Sequence, residues 1–169
     1  MKVLIPTTNG FLNKKYTKYA TSADKYQGYP IVSFPVIISD VPRNAKSLAF
    51  TFLDQDAIPV RGFTMIHWIA ANISVNITCL PENMSQKNDA QMVQGSNSTS
   101  GSFINEHDKK ISQHYFGPCP PDRDHRYIFR LYSLDKLLAI DQGYYLNEFY
   151  DVIEGHVINT ATTVVKARA

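Results

Sequence analysis

Arg126-Tyr127-Ile128-Phe129-Arg130-Leu131-Tyr132-Ser133-Leu134 decides the fold class of this chain. Side chains alternate along a strand. Tyr127, Phe129 and Leu131 therefore share one face, and Ile128, Arg130 and Tyr132 the other. Three more runs have the same character. Ser47 to Leu53 places Leu48, Phe50 and Phe52 on one face. Met65 to Ile73 is apolar on both faces, as a central strand would be. Ile31 to Ile38 is rich in β-branched residues, with Pro35 marking an edge or a bulge. Near the carboxyl end the period changes. Leu146, Phe149, Tyr150, Ile153 and Val157 fall on one helical face, and Gly155 weakens that helix without ending it. Thr160 to Val165 reads as a last strand. The expected fold is mainly β and antiparallel, with one late helix. Residues 82–114, dominated by Gly, Ser, Asn and Gln, read as a long surface excursion, either functional or a mobile insertion without a role.

The 169 residues have the length of one domain, 1–169, long enough to bury a core without disulfides or metal. Lys plus Arg is 17 and Asp plus Glu is 15, a net charge of +2, which argues against a nucleic-acid binder with a basic stripe. Met1 to Pro6 offers no apolar stretch long enough for a signal peptide or a membrane span. The expected location is cytoplasmic, without integral membrane association. Cys79 and Cys119 have no metal-ligand spacing and read as thiols in a reducing compartment. The sequons at Asn72, Asn76, Asn83 and Asn97 then carry no glycan. No cofactor or metal is called for.

Three constellations carry chemistry. Asp54-Gln55-Asp56-Ala57-Ile58-Pro59 follows a strand as a stiff polar corner; alone it reads as an Asp-rich turn. His67-Trp68 lies inside an apolar strand, where a single His is most often a satisfied core residue. Tyr115-Phe116-Gly117-Pro118-Cys119-Pro120-Pro121 is stiffened by its prolines, and Gly117 permits close backbone approach. His125 and Tyr127 then project from one side of the strand that follows. A histidine and a phenol beside a rigid loop suit a phosphate, as amides of such a loop do. The bland alternative is a structural proline corner with a His–Tyr packing pair.

Taken together, these residues resemble the phosphatidylethanolamine-binding protein family, also called the Raf-kinase-inhibitor-like proteins, and its short bacterial branch. Asp54, Asp56, Ala57 and Pro59 match the family's Asp-x-Asp-Ala-Pro, with Ile58 as an extra residue. His67 and Trp68 match its His-Trp. Gly117 to Pro121 and His125 to Tyr127 match its Gly-Pro-x-Pro-Pro and His-Arg-Tyr. Where the family has a Trp before Val-Pro, this chain has Ile38-Ser39-Asp40 before Val41-Pro42. The resemblance implies a central antiparallel sheet packed on a smaller sheet, with peripheral helices. It also implies a small cavity for phosphate-like groups, lined by Asp54, Asp56, Pro59, His67, Gly117, Pro118, Pro120, His125 and Tyr127.

The expected function is binding of a small anionic or zwitterionic ligand, phosphate or phosphoethanolamine-like. Asp54 would hold an imidazole protonated, and His67, His125, Tyr127 and the Gly117 amide would donate to the anion. The resemblance extends this to regulation through an unspecified protein partner, and a homodimer is compatible with it. Two alternatives stand beside this reading: a hydrolase using Cys119 and His125, and a structural domain with a vestigial anion pocket.

Overall fold

The structure, a computed structural model, describes residues 1–87 and 92–169. Among the described residues, ten strands make three antiparallel sheets. The largest has the order β10-β9-β5-β6-β8, built from β5 (Ser47–Asp54), β6 (Met65–Ile73), β8 (Val93–Gln94), β9 (His125–Leu134) and β10 (Val157–Ala167). The second joins β1 (Lys2–Leu4), β4 (Val36–Ser39) and β7 (Cys79–Leu80), and the third is the hairpin of β2 (Lys25–Tyr26) and β3 (Tyr29–Pro30). Among the described residues, four α-helices lie outside the sheets: α1 (Ile58–Arg61), α2 (Met84–Lys87), α3 (Lys109–Ser112) and α4 (Leu146–Ile153). No helix among the described residues is long and apolar enough to cross a membrane.

The alternation of β9 sorts its side chains into two cores. Tyr127, Phe129 and Leu131 pack with Phe50, Phe52 and Trp68 against Phe34, Val36 and Ile38 of the smaller sheet's side. Phe34 meets Phe52 edge-on at 5.0 Å, and Phe50 stacks on Phe129 at 4.7 Å. Tyr132 and Leu134 point the other way and pack beneath α4, against Phe149 and Ile153. Burying aromatic side chains on both faces accounts for the apolar reading of β5 and β6.

Three elements differ from their sequence reading. The run 31–38 pairs only beyond Pro35, as β4. Proline has no N–H for a ladder, and Ser33 is tied instead by its carbonyl, which accepts from the Asn83 amide at 2.8 Å. The late helix stops at Ile153, four residues short of Val157, and Gly155 takes φ +75° beyond it. The last strand is longer than expected and starts at Val157.

Residues 82–114, of which 88–91 lie outside the described residues, fold against the body of the molecule. Gln94 is fully buried. Its Oε1 accepts from Trp68 Nε1 and from Ser85 Oγ, both at 2.7 Å. Asn97 donates to the carbonyls of Ile111 and His114 at 2.6 and 2.7 Å. The polar composition that suggested a surface excursion supplies partners for buried backbone groups.

Candidate functional site

The site is assembled from the ends of adjacent strands. Asp54 closes β5 and lies directly across from Met65 of β6 and Tyr127 of β9. His67 stands two residues along β6 from Met65, and His125 two residues before Tyr127. One end of the large sheet thus carries Asp54, His67, His125 and Tyr127, all buried. They line a cavity of about 530 Å³ together with Gly117 and Pro120. Asp56, Pro59 and Pro118 are not among its described lining residues.

Asp54 accepts from the Ala57 amide at 3.1 Å, which fixes the turn into α1. Its other oxygen faces His125 Nδ1 at 2.8 Å. The second ring nitrogen of His125, Nε2, lies 2.9 Å from Asp122 Oδ1. Burial pulls this imidazole down, but the Asp54 and Asp122 carboxylates outweigh it and leave the pKa above the ordinary 6.5.

His67 has the opposite electrostatics. Its ring stacks on Phe116 at 4.2 Å, and its Nδ1 meets the Phe116 carbonyl at 2.9 Å. The Phe116 amide donates back to the His67 carbonyl at 3.1 Å. Burial dominates here and pushes the imidazole down to about 4. A neutral ring that donates through Nδ1 presents a lone pair at Nε2. The donor role expected of His67 is therefore replaced by that of an acceptor at neutral pH. Tyr127 supplies the complement. Its hydroxyl is buried and makes no hydrogen bond among the described residues. Burial first, and the Asp54 charge second, keep this phenol protonated far above its ordinary range.

The proline loop is pinned from outside. The Gly117 amide, expected to face a ligand, donates to the Pro30 carbonyl at 2.8 Å. The Pro118 and Pro120 carbonyls accept from the Lys18 amide and Nζ at 2.8 and 2.6 Å. Asp56 is a clamp on the start of β9. It accepts from the Arg126 amide at 2.9 Å and from the guanidinium at 3.1 and 2.9 Å. The Arg126 side chain, helped by its amide, holds the Asp56 carboxyl well below the usual carboxylate range.

Other lining residues lie outside the motifs. Arg61 is the one Lys or Arg among the described lining residues, and Val60, Met65 and Ile104 supply apolar wall. Phe116 stacks on His67 from the motif's own loop. For Arg61 a signal existed in its place two residues after the aspartate corner. For Thr99 and Ile104, which come from the polar 82–114 segment, no local pattern marks them as wall.

Comparison with known proteins places this geometry. Residues 5–168 match the family model described as phosphatidylethanolamine-binding protein. The YxkA protein of Bacillus subtilis is 44% identical over 160 residues, 95% of each chain. A protein of Chlamydia trachomatis from the group designated UPF0098 is 39% identical over 134 residues, 77% of this chain and 78% of its own. Among solved structures, a phosphatidylethanolamine-binding protein homolog from Chlamydia trachomatis aligns with TM-score 0.71 and 32% identity, covering 94% of this chain and 88% of that one. Escherichia coli YbcL aligns with TM-score 0.77 over 99% and 98% of the two chains; at 22% identity that likeness concerns the fold.

Proposed function

This chain belongs to the phosphatidylethanolamine-binding protein family, and from that premise we propose that it binds a small phosphate-bearing anion or zwitterion in the cavity at the end of the large sheet. The observation that carries the reading is the meeting of Asp54, His67, His125 and Tyr127 around one cavity from three neighbouring strands. In it, the charged His125 and the Tyr127 hydroxyl attract the anionic oxygens, and Arg61 draws negative charge toward the mouth. His67 accepts a hydrogen that the ligand brings. Asp56 and Pro59 act at one remove, by shaping the corner that holds Asp54, and Pro118 by stiffening the loop.

Against a hydrolase reading stands the state of His125. The carboxylates at its two ring nitrogens favour the charged imidazolium, and a protonated ring is no base for Cys119. A cytoplasmic location is supported by two exposed free cysteines, which persist as thiols in a reducing compartment. A regulatory role through a protein partner is part of the same proposal, with the family as its support.

The test is calorimetric titration with sulfate, which does not itself titrate near neutrality. If the cationic His125 binds the anion, affinity holds below the His125 pKa and is lost as pH climbs through it. The expected loss is roughly tenfold per pH unit for the one proton involved. His125→Gln weakens binding and flattens that slope. An affinity that stays level while NMR shows the His125 imidazole losing its proton overturns the reading.

A further inference from the structure

We infer that Asp122 is a resident competitor for the anion site: its carboxylate holds His125 Nε2, and a ligand gains that nitrogen only by displacing it. The inference rests on the anion-binding reading above and adds the residue that sets its threshold.

An imidazolium has two N–H groups to offer. In His125 both are taken, by Asp54 Oδ2 at 2.8 Å and by Asp122 Oδ1 at 2.9 Å. The two carboxylates differ in freedom. The Asp54 side chain is 4% exposed, whereas that of Asp122 is 44% exposed. Asp54 also accepts from the Ala57 amide and belongs to the sheet. Asp122 sits between Pro121 and His125, outside any helix or strand; its carboxylate is steadied by its own amide and that of Arg123, and its second oxygen has a loose contact with Arg123 Nε at 3.8 Å. A buried carboxylate cannot leave a buried imidazolium without heavy desolvation loss. A half-exposed one can swing into water at small cost.

The consequence is a competition within one molecule. Asp122 is tethered three residues from its target, so it acts at high local concentration. The apparent affinity for any anion that uses Nε2 is reduced by the fraction of time Asp122 leaves that nitrogen free. Weakly accepting anions are excluded, and a strongly charged phosphoryl or sulfuryl group is admitted. Two carboxylates against one imidazolium also leave this three-residue cluster a net negative charge while Asp122 is in place, with Arg61 elsewhere in the lining. The other groups facing His125 are the Tyr127 ring at 6.4 Å and, through space, His67. Neither occupies Nε2.

The test compares the parent with Asp122→Asn, Asp122→Ala and Asp124→Asn. Asp124 lies on the same loop and pairs with Arg168 at 3.5 Å, so its substitution removes a like charge that does not touch His125. Sulfate is titrated into each protein by calorimetry, and the His125 imidazole is titrated by NMR without sulfate. The expected result is sulfate binding tighter by about tenfold in both Asp122 variants, the scale of one charge-assisted bond. Asp124→Asn should change it by about twofold or less. The His125 pKa should fall in both Asp122 variants. If the parent binds sulfate and the Asp122 variants bind equally or more weakly, Asp122 is no competitor and the anion site stands. An equal gain in Asp124→Asn reduces the effect to general charge and overturns the inference. If no protein binds sulfate at millimolar concentration while the His125 pKa still falls in the Asp122 variants, the anion-binding reading fails and carries the inference with it.

Discussion

Nδ1 of His67 lies 2.9 Å from the carbonyl oxygen of Phe116, and because a carbonyl only accepts, that nitrogen carries the hydrogen. The neutral ring, which lines the cavity, then keeps its lone pair at Nε2. Phosphate near neutrality keeps at least one hydroxyl, and sulfate has none. Phosphate should therefore bind more tightly than sulfate by about tenfold at pH 7, one hydrogen bond's worth. The preference should vanish in His67→Phe. Nitrogen-15 shifts should show Nε2 unprotonated at pH 7; a protonated Nε2, or a preference for sulfate, contradicts the assignment.

The two histidines drive stability in opposite directions with pH. The His67 pKa is depressed by burial to about 4 in the folded chain. Its contribution is intact above the unfolded value near 6.5 and is lost as pH falls between the two, at about 1.4 kcal/mol per unit. The His125 pKa is raised, so its contribution is intact at low pH and is lost as pH rises through the folded value. Urea unfolding at pH 7 and pH 4.5 should show a drop that shrinks by about 2–3 kcal/mol in His67→Gln. An unchanged drop means that His67 is not buried neutral.

Tyr127→Phe separates stability from binding. The hydroxyl is buried and, among the described residues, has no well-formed hydrogen bond, only the nearby Asp54 carboxylate, so its removal should stabilise the fold by up to about 1 kcal/mol. Phosphate affinity should fall by about tenfold. Loss of stability with unchanged affinity would assign the hydroxyl to the core instead.

Gly117 is fixed by close approach. A Cβ there would come within 2.5 Å of the Tyr16 carbonyl oxygen and 2.8 Å of Pro30 Cβ. Backbone cannot swing aside as a side-chain tip can. Gly117→Ala should cost about 1–3 kcal/mol and weaken ligand binding as the loop lifts off Pro30. A neutral effect on thermal unfolding would count against the pinned loop.

Asp56 and Arg126 test whether a motif residue outside the cavity lining is structural. Arg126→Ala removes only the exposed half of the clamp and should cost less than about 1 kcal/mol. Asp56→Ala also strips the partner from the Arg126 amide at the start of β9 and should cost about 1–3 kcal/mol more. Equal costs would mean that the backbone bond contributes nothing.

Period and side-chain type made the sheet legible. Met65–Ile73 begins and ends where its apolar run does, and Ser47 and Leu134 are true strand ends. The misread boundaries have local causes: Pro35 withholds a ladder donor, and Gly155 accepts a positive φ that stops α4. Asp54, His67, His125 and Tyr127 could be placed together through the motif resemblance, and the structure brings them together because β5, β6 and β9 are neighbours. Asp122 could not, since nothing in Pro121-Asp122-Arg123 distinguishes a carboxylate facing solvent from one turned onto an imidazole. Nor could the His67 tautomer, which depends on a carbonyl 49 residues away.

Thr99 and Ile104 reach the cavity from a stretch that no motif covers. Part of what the site admits is thus written apart from what makes the chain recognisable. Exchanges at those two positions would alter the lining and leave Asp54, His67 and His125 as they are. Chains that share every motif of this one can therefore differ in the wall of the cavity that the motifs build.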